Sequence, residues 1–333
     1  MDTVTKDYRW TGHVVSLGCI CSFGFINNLL ILILVIRFRA VLLTPSNIYL
    51  LSKAFADWLL LAISPFHLIS LANPEGWFFG GIECHIVTYL DLVFMLISLH
   101  SLLAISHQRF AIFVKPDWYL DNKKALGHVL AIWIYCACIA FPIVTASYIF
   151  KWEERTVCGY RWPPIQSYYA MYFVSLSIIA FIGPFGQIMW WSHRVRKAIG
   201  LNSQDQRKPV GMNAREDVKC TYKVTITLFI TALLRWVPFW MYHFTILLTL
   251  EGDQTRSFHV PGGHKSFQLV VTYTTYIVAS ANFIVYLATM TKWRSVVFNA
   301  LLCRSRAASS SDTANSRNHA VVNTIDKREM DVL

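Results

Sequence analysis

Long apolar runs return again and again along this chain, and they decide what it can fold into. Roughly 12–36, 46–70, 82–113, 126–149, 167–192, 220–249 and 267–290 are each long enough for a helix to cross lipid, which takes about 20 residues. Only 15% of the residues are charged and the mean hydropathy is +0.43. The chain therefore reads as an all-α membrane protein, a bundle of seven transmembrane helices. The connections are short, with turn chemistry at Asn73-Pro74-Glu75-Gly76 and Pro261-Gly262-Gly263.

The net charge of +11 could point to nucleic acid. Its placement points elsewhere. The connections after spans one, three and five, together with the tail, hold roughly 20 basic residues, against about seven on the opposite side. This bias sets the N-terminus (1–11) outside and the C-terminus in the cytoplasm, and assigns the positive charge to inner-leaflet lipids rather than to nucleic acid. MDTVTKDYRW is polar and mixed in charge, so the first span is expected to act as an uncleaved anchor. Residues 304–333 are polar and Ser/Ala/Asn-rich and are expected to be disordered.

Cys19/Cys21 and Cys136/Cys138 lie inside apolar runs and read as small core residues. Cys84 and Cys158 lie in polar connections. No histidine has metal-ligand spacing such as His-Glu-x-x-His, and no metal is expected. Ionisable residues inside the spans are functional candidates by default. Among them are Lys53, Asp57, Asp91, Arg109 and Arg235. Lys53 precedes Asp57 by four residues and so shares its helix face. Its ammonium either meets Asp57 or snorkels to the inner interface. Cys84 and Arg109 stand 25 residues apart, about 37 Å of helix, which takes them to opposite faces of the membrane.

The pieces, taken in order, resemble the rhodopsin-family (class A) G-protein-coupled receptors. They are Asn28 in "FINNLLILILV", "TPSNIYLLSKAFADW" with Asp57, "GWFFG", the run from Cys84 to Arg109, Trp133, Pro142, Pro184, "WVPF" with Trp236 and Pro238, and "NFIVY". The stretch "TKWRSVVFNALLC" resembles the short amphipathic eighth helix, over 293–303, after a membrane domain over 12–292.

The resemblance implies a plasma-membrane receptor, not an enzyme, that activates a heterotrimeric G protein by outward movement of helix six. It implies a Cys84–Cys158 disulfide, for which the outer compartment is suited. Asp91 matches the acid that pairs with a ligand ammonium, and Tyr276 the tyrosine that hydrogen-bonds that acid. Phe181, Trp236, Phe239 and Trp240 match the aromatic floor, which suits a cation. Asn28, Asp57, Ser98 and Asn282 match the family's buried sodium and water cluster, where Lys53 does not fit the pattern and could replace the ion. Arg109 and Tyr286 match the switch residues, and Cys303 a palmitoylated cysteine.

Several positions depart from the family. Gln108 and Phe110 flank Arg109 where an acid and a tyrosine are usual, which implies a weak inactive-state latch and raised basal signalling. Phe283 replaces a proline, so span seven is expected to be straighter. Ser192 replaces a tyrosine. Arg235 stands where a cysteine is usual, with span-seven backbone or Ser280 as its candidate acceptors. The ligand is expected to be a cationic peptide or amine. An opsin-related receptor is the alternative, though the retinal lysine falls at Tyr276, so no retinal cofactor is expected. An ion or proton transporter is the remote one, and the lack of internal repeats weakens it.

Overall fold

The computed structural model describes residues 2–152, 155–160, 166–204, 212–250 and 263–301. Its main helices are α1 (Asp2–Arg37), α2 (Pro45–Ala72), α3 (Gly81–Val114), α4 (Asn122–Ala140, continued by Pro142–Ala146), α5 (Gln166–Ser177 and Gly183–Gln204), α6 (Met212–Leu250), α7 (Gly263–Ser280 and Asn282–Thr289) and α8 (Thr291–Leu301). Six are long and apolar enough to cross a membrane, and the bent halves of α7 make a seventh. The expected seven-helix bundle is therefore present.

Local chemistry sets several helix ends. Thr44 accepts from Asn47 N at the start of α2, with Pro45 in the first turn. Asp121 accepts from Lys124 N at the start of α4. Both are N-cap arrangements that satisfy otherwise orphaned donors. α3 is the axial helix, with 72% of its most apolar window buried against 28–44% for the other five. The outer faces stay apolar, as lipid requires. Leu126, Leu130 and Ile134 form an exposed stripe at four-residue spacing on α4. Cys21 and Cys136 are buried as expected, but Cys19 and Cys138 are exposed. Two residues apart on a helix, side chains point to nearly opposite sides, so one of each pair faces outward.

Two departures concern the spans. Residues 147–149, expected to end span four, open a β-hairpin instead, β1 (Ser147–Trp152) pairing antiparallel with β2 (Arg155–Tyr160). Span seven is not straightened by the loss of its proline, because its halves meet at 48° around Ala281. Side chains cause the break. The Ala279 carbonyl accepts from Asn28 Nδ2 at 2.9 Å and from Asn282 Nδ2 at 3.3 Å. Insertion of side chains into the backbone ladder is a recognised cause of a kink.

α5 is interrupted by one π turn, Ile178–Ile182, in which Gly183 N reaches Ile178 O. Pro184 follows and has no N–H to donate, so the ladder reorganises just before it.

Candidate functional site

At mid-bundle, Asp57 is fully buried on α2 and gathers donors from four helices. Lys53, one turn earlier, places Nζ 2.6 Å from Asp57 Oδ2 and 2.7 Å from Asn282 Oδ1. Arg235 on α6 donates through both terminal nitrogens to Asp57 Oδ1, at 3.0 Å each. Ser98 on α3 donates to Oδ2 at 3.2 Å, and Asn282 Nδ2 does so at 2.7 Å. Asn28 on α1 completes the set by accepting from Asn282.

Lys53 therefore turns inward rather than snorkelling, and its ammonium sits on the carboxylate. Arg235 takes the Thr275 carbonyl as a further acceptor, at 3.4 Å. Ser280, the other candidate, is not its partner, since that hydroxyl donates to Ile20 O on α1. A carboxylate at this depth would be costly alone, and two cations with three polar side chains offset that cost.

Toward the N-terminal end of α3, Asp91 Oδ2 lies 2.6 Å from His67 Nε2 on α2. Asp91 Oδ1 is buried and makes no hydrogen bond. The expected bond from Tyr276 is therefore replaced by one from His67. Tyr276 is buried on α7. Sequence reading missed His67, because nothing in its local pattern marks it as facing α3.

The four aromatics of α5 and α6 come together. Trp236 packs edge-on against Phe239 at 5.4 Å and stacks on Trp240 at 6.3 Å. Phe181, carried in the π turn, lies 6.0 Å from Trp240. His243 joins unannounced, 4.4 Å from Phe173 and from Phe239, and is buried.

Beyond these rings, β2 lies over the N-terminal end of α3. Cys84 in the first turn of α3 is bonded to Cys158 in β2. Trp77 N donates to Thr156 O and Thr156 N to Glu75 O, both at 2.8 Å. The guanidinium of Arg155 caps the end of α2 through the Ser70, Leu71 and Asn73 carbonyls.

A family model described as 7 transmembrane receptor (rhodopsin family) matches residues 27–286. The chain belongs to the rhodopsin family of seven-transmembrane receptors. Among its relatives, human prokineticin receptor 1 is 26% identical over 246 residues, covering 70% of this chain and 61% of that protein. Rat somatostatin receptor type 4 is 26% identical over 268 residues, covering 76% and 67%. The B1 bradykinin receptor of Macaca fascicularis is 24% identical over 233 residues, covering 69% and 64%. The chain thus spans 61–67% of the length of these relatives. The family is one of multi-pass plasma-membrane receptors and not of enzymes.

At the C-terminal end of α3, Gln108 is fully buried. Its Nε2 donates to Leu120 O at 2.7 Å and its Oε1 accepts from Leu120 N at 3.4 Å, so one amide pairs with one backbone residue on both sides. A carboxylate could accept from Leu120 N but could not donate to its carbonyl, which explains what an amide does here. Arg109 is half-buried beside it. Phe110 packs among Trp118, Trp190 and Trp191 at 5.5–6.2 Å. Tyr286 packs on Trp293 of α8 at 5.5 Å, and its hydroxyl is buried without a hydrogen-bond partner. Ser192 Oγ on α5 is buried and unpaired as well. Cys303 lies outside the described residues.

Proposed function

We propose that the protein is a cell-surface receptor for a positively charged peptide, with its N-terminus outside the cell. The bound state is passed to a heterotrimeric G protein by outward movement of the inner half of α6. The observation that carries this reading is Asp91, one of whose carboxylate oxygens is held by His67 while the other is buried and unpaired. A buried acceptor without a donor is unfavourable. A ligand ammonium or guanidinium reaching Oδ1 would remove that penalty and add a charge-assisted bond. Phe181, Trp236, Phe239 and Trp240 supply the aromatic surface below, and Tyr276 the α7 wall.

The relatives named for prokineticin, somatostatin and bradykinin favour a peptide over an amine. A covalent retinal is not part of the proposal, because Tyr276 cannot form a Schiff base. Lipids cover the apolar faces and no nucleic acid is involved.

Transmission needs a bistable element. Pro238 lies inside α6, where the lost backbone bond gives a hinge. A ligand that binds the open-α6 form more tightly shifts the receptor toward it. Arg109 and Tyr286 then face the G protein, and the unpaired hydroxyls of Tyr286 and Ser192 are groups that a rearranged inner end can satisfy.

The test is a screen of basic amidated peptides and cationic amines against a G-protein readout, with Asp91→Asn alongside. Loss of a charge-assisted bond worth ~1.5–3 kcal/mol predicts a fall in agonist potency of about 10- to 150-fold in the variant. A cationic agonist equally potent on both proteins would exclude the anchor. An ion current independent of G protein would favour the transporter reading.

A further inference from the structure

The charge in the mid-bundle cluster does not balance. With its members ionised, Lys53 and Arg235 bring two positive charges to the single negative charge of Asp57. Lys53 is 3% exposed and Arg235 2%. A net charge held in a water-poor interior is costly unless it is compensated. The hydrogen bonds are also incomplete. Arg235 Nε is buried and has no partner. Lys53 Nζ makes two hydrogen bonds, and an ammonium has three N–H donors.

Beside these groups lies a cavity of about 10 Å³, lined by Lys53, Ser98, Leu102, Thr231, Arg235 and Trp236. That is the space of roughly one water. It is polar on the side of the two cations and apolar on the side of Leu102 and Trp236. Both oxygens of Asp57 are already engaged by donors. The cluster thus presents spare donors and spare positive charge, while its one carboxylate is already engaged.

We propose that this cavity binds one small monovalent anion with the size and charge of chloride, held by Lys53 and Arg235. The anion would bring the cluster to neutrality and accept from Arg235 Nε and from the third ammonium hydrogen of Lys53. Larger oxyanions do not fit the space. Binding here does not depend on which ligand occupies the outer end, so the site survives or fails independently of the peptide reading. Its effect would be to tie α2 to α6 in this arrangement, making the anion a modulator of the movement of α6.

The experiment is thermal unfolding of the purified full-length protein in lipid nanodiscs, in sodium chloride against sodium gluconate, at equal sodium and ionic strength. A bound anion stabilises by mass action, and a rise of roughly 2–4 °C in chloride, matched in bromide, is expected. Lys53→Met and, separately, Arg235→Met leave one cation against Asp57 and should each abolish the difference. Equal unfolding temperatures in the two salts would overturn the proposal. A chloride effect that survives in both variants would place the anion elsewhere and overturn it too. Should neither variant fold, bromide anomalous scattering from the unaltered protein decides. A peak between Lys53 and Arg235 supports the site, and its absence there refutes it.

Discussion

A single carboxylate organises the middle of this receptor. Asp57 holds Lys53, Arg235, Ser98 and Asn282 at once. The ammonium of Lys53 stands against the oxygen a cation would need, so ligand affinity should be insensitive to sodium. Agonist binding measured in sodium and in choline salts of the same anion checks this, and a several-fold sodium effect on the unmutated receptor would refute it. Part of this arrangement could be read from spacing, because residues four apart on a helix meet. Arg235 could not be placed that way. It lies 178 residues from Asp57, and only the rotation of α6 about its own axis aims it inward. His67 and Asp91 follow the same rule across α2 and α3.

At the scale of the element, small residues mark where backbones touch. A side chain on Gly24 of α1 would place its Cβ 2.0 Å from Ser280 Oγ and 2.8 Å from Ser280 Cα on α7. Gly24→Ala should therefore force the two helices apart, at an expected loss of about 1–3 kcal/mol, read as a lower unfolding temperature. Unchanged stability would mean that α7 moves freely there. Gly76 is different. Its φ of +84° and the nearby Thr156 carbonyl both exclude a Cβ, and this turn was visible as Asn-Pro-Glu-Gly in the sequence.

Gln108 ties the C-terminal end of α3 to Leu120. Gln108→Asp shortens that link, loses the donor to Leu120 O, and frees a carboxylate for Arg109. Signalling without ligand should fall several-fold in this variant. An unchanged basal signal at equal surface expression would count against a missing latch. The aromatic packing of Phe110 was not foreseen from the sequence, because Trp190 and Trp191 come from α5 and Trp118 from the loop before α4.

For the whole molecule, the hairpin closes one end of the bundle, and the Cys84–Cys158 bond ties it to α3. The bond closes a loop across 74 residues of sequence, and removing it should cost about 2–5 kcal/mol. Cys158→Ser should accordingly lower surface expression and unfolding temperature. Full surface expression with unchanged stability would show that the hydrogen bonds of Thr156 and Arg155 suffice.

The number of spans, their apolar faces and the Lys53–Asp57 face all follow from local rules. Hydrocarbon tolerates only helices and closed barrels, and helical spacing alone brings residues four apart together. Which helix supplies the second cation to Asp57, which residue claims Asp91, and where α7 breaks were decided by packing. Those outcomes depend on the rotation and depth of each helix against its neighbours, and rotation is a property of the assembled bundle that no single segment contains.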